Sequence, residues 1–235
     1  MTTRETAGES TNVADDRTKR LRIAVLASGS GSNLQALLDF GSQASARYSI
    51  VVVGTNRSDA TALQRAERYG VPTFLESHRA HPSRASFEAA LMEHLTPFRP
   101  DWVVLAGFMR VLSSTFVSAY PQRIVNVHPA LCPAFPGLHA ARQALEAGVR
   151  ITGCTVHLVD DGVDTGPILA QAAVPVRDDD DETTLQHRIQ QQEHRLLPAV
   201  MQAIACGQLN SPEEPLRISG MEPDAEGLGW APKPE

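Results

Sequence analysis

RIAVLASGSGSNLQALL, residues 22–38, is the stretch whose reading decides the fold. An apolar run too short for a helix (22–27) gives way to a glycine-rich turn (28–32). The turn opens a segment in which Leu34, Leu37 and Leu38 share one helical face. The strand–turn–helix unit then repeats along the chain. Strands are expected at 49–54, 71–75, 102–106 and 123–127. Helices are expected at 59–69, capped by Ser58 or Asp59 and ended by Gly70, and at 83–95 and 113–120. Continuous β-branched strands separated by helices imply parallel strands covered on both faces. Past His128 the pattern changes: a Pro-rich loop, a helix near 140–147, and strands at 153–159 and 168–176 whose short connection predicts an antiparallel hairpin. A long helix, 183–205, follows an Asp-rich cap and stops at Gly207. The fold class expected is therefore α/β, a mostly parallel twisted sheet flanked by helices, with an antiparallel C-terminal hairpin. Residues 1–20 read as a disordered extension, 21–210 as one domain, and 211–235 as a loose acidic tail.

Composition narrows the function. Of 235 residues, 42% are hydrophobic and 20% charged, which suits a water-soluble domain. A net charge of −6 argues against non-specific nucleic-acid binding, which needs clustered cations. Cys132, Cys154 and Cys206 are too few and wrongly spaced for a disulfide scaffold or zinc site. No apolar run approaches the roughly 18 residues of a membrane span, and the first twenty residues lack a signal core. A cytoplasmic enzyme without membrane or nucleic-acid partners is expected.

Three segments carry chemistry. The turn at Gly29–Asn33 offers backbone N–H groups at a helix N-terminus, suited to an anion. It lacks the third glycine of a dinucleotide loop, because position 34 is Leu34, and the lysine of a Walker loop, so a single phosphate is the better guest. Gly107-Phe108-Met109-Arg110-Val111-Leu112 follows a central strand and could wall a crevice for a flat heterocycle, or simply supply core. Asn126, His128 and Asp164 form the third set. Strand alternation puts Asn126 and His128 on one face. An amide can hydrogen-bond an oxyanion, an imidazole can move a proton near neutrality, and a carboxylate can hold and charge-stabilise the imidazole. A metal centre on His128, His157, Asp160 and Asp161 is a rival use of the same region. No HxxxH or HxH spacing supports it, so no metal is expected.

The four stretches SGSGSNLQALLD (28–39), LAGFMRVLS (105–113), NVHPALCPAFPGLHAARQALEAG (126–148) and TGCTVHLVDDGVDTGPILAQ (152–171) resemble the folate-dependent phosphoribosylglycinamide formyltransferase family, in the right order over about residues 21–210. The resemblance implies a Rossmann-like formyltransferase fold. It implies formyl transfer from 10-formyltetrahydrofolate, as co-substrate, to glycinamide ribonucleotide in purine (IMP) biosynthesis, by a monomer or homodimer. On it, Asn126, His128 and Asp164 match the catalytic set, and Gly31, Ser32, Asn33 and Glu193 match ribonucleotide contacts. Arg84, Met109, Arg110, Val111, Leu112 and Asn126 match folate contacts. One departure stands out: Ala130-Leu131-Cys132 replaces the family's Ser-Leu-Leu, which puts local hydrogen bonding in doubt. A formyltetrahydrofolate deformylase, a methionyl-tRNA formyltransferase or a catalytically silent nucleotide-binding protein would share the scaffold. The first two are expected to carry an extra domain that neither end of this chain supplies.

Overall fold

The computed structural model describes residues 20–209, 221–223 and 230–232. The 1–20 extension, but for Arg20, and the 211–235 tail, but for those two short stretches, lie outside the described residues. Seven strands form one sheet: β1 (Leu21–Ala27), β2 (Tyr48–Thr55), β3 (Thr73–Leu75), β4 (Trp102–Leu105), β5 (Ile124–His128), β6 (Ile151–Leu158) and β7 (Ile168–Pro175). Their order is β3-β2-β1-β4-β5-β6-β7. The first five run parallel, while β6 runs antiparallel to both β5 and β7. The expected fold class, hairpin included, is what forms. Two further strands, β8 (Met221–Pro223) and β9 (Trp230–Pro232), pair with each other.

Among the described residues, six α-helices cover the sheet: α1 (Ser32–Gly41), α2 (Ala62–Arg68), α3 (Arg84–Leu95), α4 (Ser114–Ala119), α5 (Ala140–Glu146) and α6 (Glu182–Ala205). Strand alternation divides the core in two. Ile23, Val25, Val104, Val125, Val127, Cys154, Val156 and Leu158 pack with α1, α2, α5 and α6. Ala24, Leu26, Val103, Leu105 and Ile124 face the other way, onto Phe87, Leu91 and Leu95 of α3 and Phe116 of α4. Beyond Ile124 this second face of β5 carries Asn126 and His128. Across the ladder β6 carries His157 and Thr155 on the same face, because Asn126 pairs with His157 and His128 with Thr155. Apolar residues thus anchor both strands to the α1/α6 layer, and the alternate positions are left for chemistry.

Several boundaries differ from the expectation for physical reasons. The helix expected at 59–69 begins only at Ala62. Asp59 is held by the Arg57 guanidinium at 2.6 Å instead of capping, and the N-cap Thr61 makes no side-chain cap bond. The strand expected at 71–75 begins at Thr73, since the Val71 N–H turns back to the Ala66 carbonyl to close α2. By contrast, the helices expected at 83–95 and 113–120 form, with the Ser83 and Ser113 side chains accepting from the Ser86 and Phe116 N–H groups as N-caps. Asp181, in the Asp-rich segment, forms a reciprocal capping box with Thr184 at the start of α6.

Candidate active site

The three residues expected to act together do meet. Asp164 reaches Asn126 with one oxygen (Oδ1 to Nδ2, 3.2 Å) and His128 with the other (Oδ2 to Nδ1, 3.2 Å). The Gly137 N–H also donates to Oδ2 at 2.8 Å. Burial opposes ionisation of Asp164, but the Gly137 N–H and the neighbouring His128 ring outweigh it and hold the carboxyl below its ordinary range. His128 is 4% exposed. Its Nε2 lies 2.8 Å from the Phe135 carbonyl, which only accepts, so Nε2 donates there and Nδ1 is the nitrogen left to face Asp164.

The chain reaches this arrangement through unusual backbone. Asp164 itself lies in the left-handed region at φ 55°, as do Phe135 and His139 in the Pro-rich loop. The loop bearing Asp164 is tied at both ends to β5 and β6: the Val159 N–H bonds the Ile124 carbonyl, and the Leu158 N–H bonds the Pro167 carbonyl. Gly166 is needed at that closure, because a Cβ there would sit 1.8 Å from the Leu158 carbonyl oxygen. Such strained positions persist only where surrounding contacts over-determine them.

The 130–132 stretch, where a hydroxyl was expected to be lacking, is anchored through its backbone. The Thr155 hydroxyl, fully buried, donates to the Ala130 carbonyl (2.7 Å) and accepts from the Cys132 N–H (2.9 Å) and Gln171 (3.0 Å). The loop is thus held through its backbone by a hydroxyl from β6. Thr155→Val, nearly isosteric, is expected to destabilise the protein by about 2–3 kcal/mol, because a buried donor and acceptor lose their partner together. Urea unfolding measures it; a change below about 0.5 kcal/mol, the scale of a plain surface substitution, would remove Thr155 from this role.

A second cluster lies at the turn before α1. Gly31, the N-cap, adopts φ 71° and approaches α2 so closely that a Cβ would lie 2.9 Å from Ala62. No side chain caps this helix start, leaving first-turn N–H groups for an anion. Ser32 begins the helix, and Asn33 donates to Glu193 at 2.7 Å. Burial pushes the Glu193 carboxyl up to about 7, against the Asn33 hydrogen bond. A cation missed in the sequence stands beside the turn: Arg65 donates from Nε to the Ser30 carbonyl at 2.8 Å. Only tertiary folding brings it there.

Glu193 also sets a pH dependence. Its raised pKa means the folded state holds the proton more tightly than the unfolded state. Its stability contribution is therefore full below about 4.5 and is lost as pH rises through about 7. Glu193→Gln keeps an acceptor for Asn33 but escapes that loss. The variant is expected to melt with the parent at pH 4 and to be more stable at pH 8, by on the order of 3 kcal/mol. Parallel melting at both pH values would show that Glu193 ionises normally.

The third expected segment splits. Phe108 and Leu112 are buried in the core, so position 112 can meet a ligand only through its backbone. Met109 and Val111 are at least half exposed, and Arg110 is exposed too. The Met109 N–H bonds the buried Ser28 hydroxyl at 2.8 Å, tying this segment to β1. Arg84 is exposed on the first turn of α3 and makes no polar contact with the other site residues. Among the described residues no group of three His, Cys, Asp or Glu side chains could hold a metal ion, and no helix is long and apolar enough to cross a membrane.

Comparison with known proteins bears on the same residues. The family model described as formyl transferase matches residues 21–201. The trifunctional purine biosynthetic protein adenosine-3 of Drosophila pseudoobscura pseudoobscura is 48% identical over 197 residues, which are 83% of this chain and 14% of that protein. The chain thus spans about a seventh of that relative. The phosphoribosylglycinamide formyltransferase of Escherichia coli (strain K12) is 41% identical over 207 residues, 88% of this chain and 98% of that one. The crystal structure of glycinamide ribonucleotide transformylase 1 from Symbiobacterium toebii superposes with a TM-score of 0.83 at 45% identity, covering 90% of this chain and 99% of that chain.

Proposed function

The chain belongs to the formyl transferase family, and on that premise we propose that it transfers a formyl group from 10-formyltetrahydrofolate to the amine of glycinamide ribonucleotide in cytoplasmic purine biosynthesis. One observation carries the reading: an amide donor, Asn126 Nδ2, and a ring nitrogen able to take up a proton, His128 Nδ1, converge on the two oxygens of a single half-buried carboxylate. Donors arranged around one oxyanion in a site of low exposure suit acyl transfer.

Attack of the amine on the formyl carbon forms a C–N bond and moves the carbonyl electron pair onto oxygen. Asn126 Nδ2 and His128 Nδ1 would stabilise that oxygen. As the new amide forms, the attacking nitrogen gives up a proton and the folate nitrogen takes one as its bond to the formyl carbon breaks. His128 Nδ1, facing Asp164, is the position from which a proton can be held and passed on. Asp164, ionised through the neutral range, balances the imidazolium charge. The uncapped start of α1, with Gly31, Ser32, Asn33 and neighbouring Arg65, suits the phosphate of the ribonucleotide. Glu193, bonded to Asn33, stands where it can meet the same substrate. Exposed Met109 and Val111 offer the apolar contact a flat folate ring needs, with Arg84 and Arg110 as cations for its acidic tail.

The test is an absorbance assay of folate release from a 10-formyl folate with and without glycinamide ribonucleotide. Release that requires the ribonucleotide is the expected result. Release without any acceptor would replace transferase by hydrolase. Binding of both compounds with no release would make the chain a silent binding protein.

A further inference from the structure

We infer that His157 is a positioning residue that fixes which way the Asn126 amide points, an inference that rests on the oxyanion role proposed for Asn126. His157 lies directly across the β5–β6 ladder from Asn126 and is 2% exposed. Its Nδ1 is 2.8 Å from the Leu158 carbonyl, an acceptor only, so Nδ1 carries the ring proton. The singly protonated ring therefore presents a lone pair at Nε2, and that lone pair faces Asn126 Nδ2 at 3.1 Å.

Asn126 Nδ2 has two hydrogens. One is anchored on His157 and the other is directed at Asp164 Oδ1, 3.2 Å away. Flipping the amide would set its carbonyl oxygen against a lone pair and a carboxylate at once. The rotamer is thereby locked, with one N–H held by His157 and the other turned toward Asp164. A doubly protonated ring could instead donate to Asp164 Oδ1, but that contact is 3.5 Å, longer than the one to the amide. Without His157 the anchored N–H loses its partner and the amide is free to turn.

The experiment is a double-mutant cycle on the full chain with steady-state kinetics, each variant first checked by thermal melting. His157→Phe, close in shape but without the acceptor, is expected to lower kcat about tenfold to a hundredfold with both KM values within twofold. His157→Gln, whose side-chain oxygen can take the place of Nε2, is expected to recover most of the loss. Asn126→Ala alone is expected to lower kcat about a hundredfold to a thousandfold, and adding His157→Phe to it should cost nothing more. An equal further loss in the Asn126→Ala background would overturn the inference, as would a lowered melting temperature with kcat intact. Near-normal turnover by Asn126→Ala alone would remove the role of Asn126 itself, and that failure is visible before the cycle is closed.

Discussion

His128→Ala is expected to lower kcat about a thousandfold while leaving the KM of either substrate within a few-fold. Two contributions are lost together. Removing a single oxyanion donor costs roughly 10²–10³, and removing a positioned proton carrier costs roughly 10²–10⁴. Because one imidazole does both, the losses overlap and do not multiply. The unchanged KM follows from the position of the ring, which is 4% exposed at the end of β5 and makes no polar contact with the residues of the anion turn. The same substitution deprives the Phe135 carbonyl of its donor, so His128→Asn serves as a second variant that keeps a polar group at the end of β5. Both should melt near the parent and both should be slow. Turnover close to the parent by a folded His128→Ala protein would end the assignment.

Asp164→Asn is expected to do comparable damage, a fall in kcat of about 10²–10³, and for a reason visible in the hydrogen bonds. Both carboxylate oxygens accept: Oδ1 from the Asn126 amide, and Oδ2 from the Gly137 N–H and, when the ring is doubly protonated, from His128. An asparagine must turn its own NH₂ toward one of those sides, opposing donor to donor. It also removes the charge that balances the imidazolium. The pKa of Asp164 is lowered, so its stabilising effect is present above the ordinary carboxylate range and is lost only as pH falls through the depressed value. Melting curves of parent and Asp164→Asn should therefore converge in strong acid and separate above it, and kcat should stay low for the variant throughout. Full activity at neutral pH would show that the charge is not needed.

Much of this was legible in the sequence because it follows from short-range rules. Buried runs such as 22–27 and 102–106 declare parallel strands, and Ser83, Ser113 and the Asp-rich segment before α6 declare helix starts. Asn126 and His128, two apart in a strand, had to share a face. What escaped depends on register and on contacts distant in sequence. His157 becomes a neighbour of Asn126 only once the antiparallel register of β6 is set. Asp59 has a capping side chain, but Arg57 claims it and α2 starts later. Arg65 meets the Ser30 carbonyl only through packing of α2 beside the turn. Leu112 looks like the residues around it, yet its side chain belongs to the core.

The two-sided core has a consequence for how such an enzyme can change. The groups suited to the ribonucleotide, Gly31 to Asn33 and Glu193, belong to the α1 and α6 layer, whereas Arg84 and Met109 to Leu112 belong to or follow the α3 side. The sheet stands between the two layers, and β5 and β6 carry Asn126, His128, Thr155 and His157 on the face turned away from α1 and α6. Substitutions in one layer share few packing partners with the other, so their free-energy effects should add. Preference for one substrate can then drift without retuning the other, and selection can act on each half of the recognition problem separately.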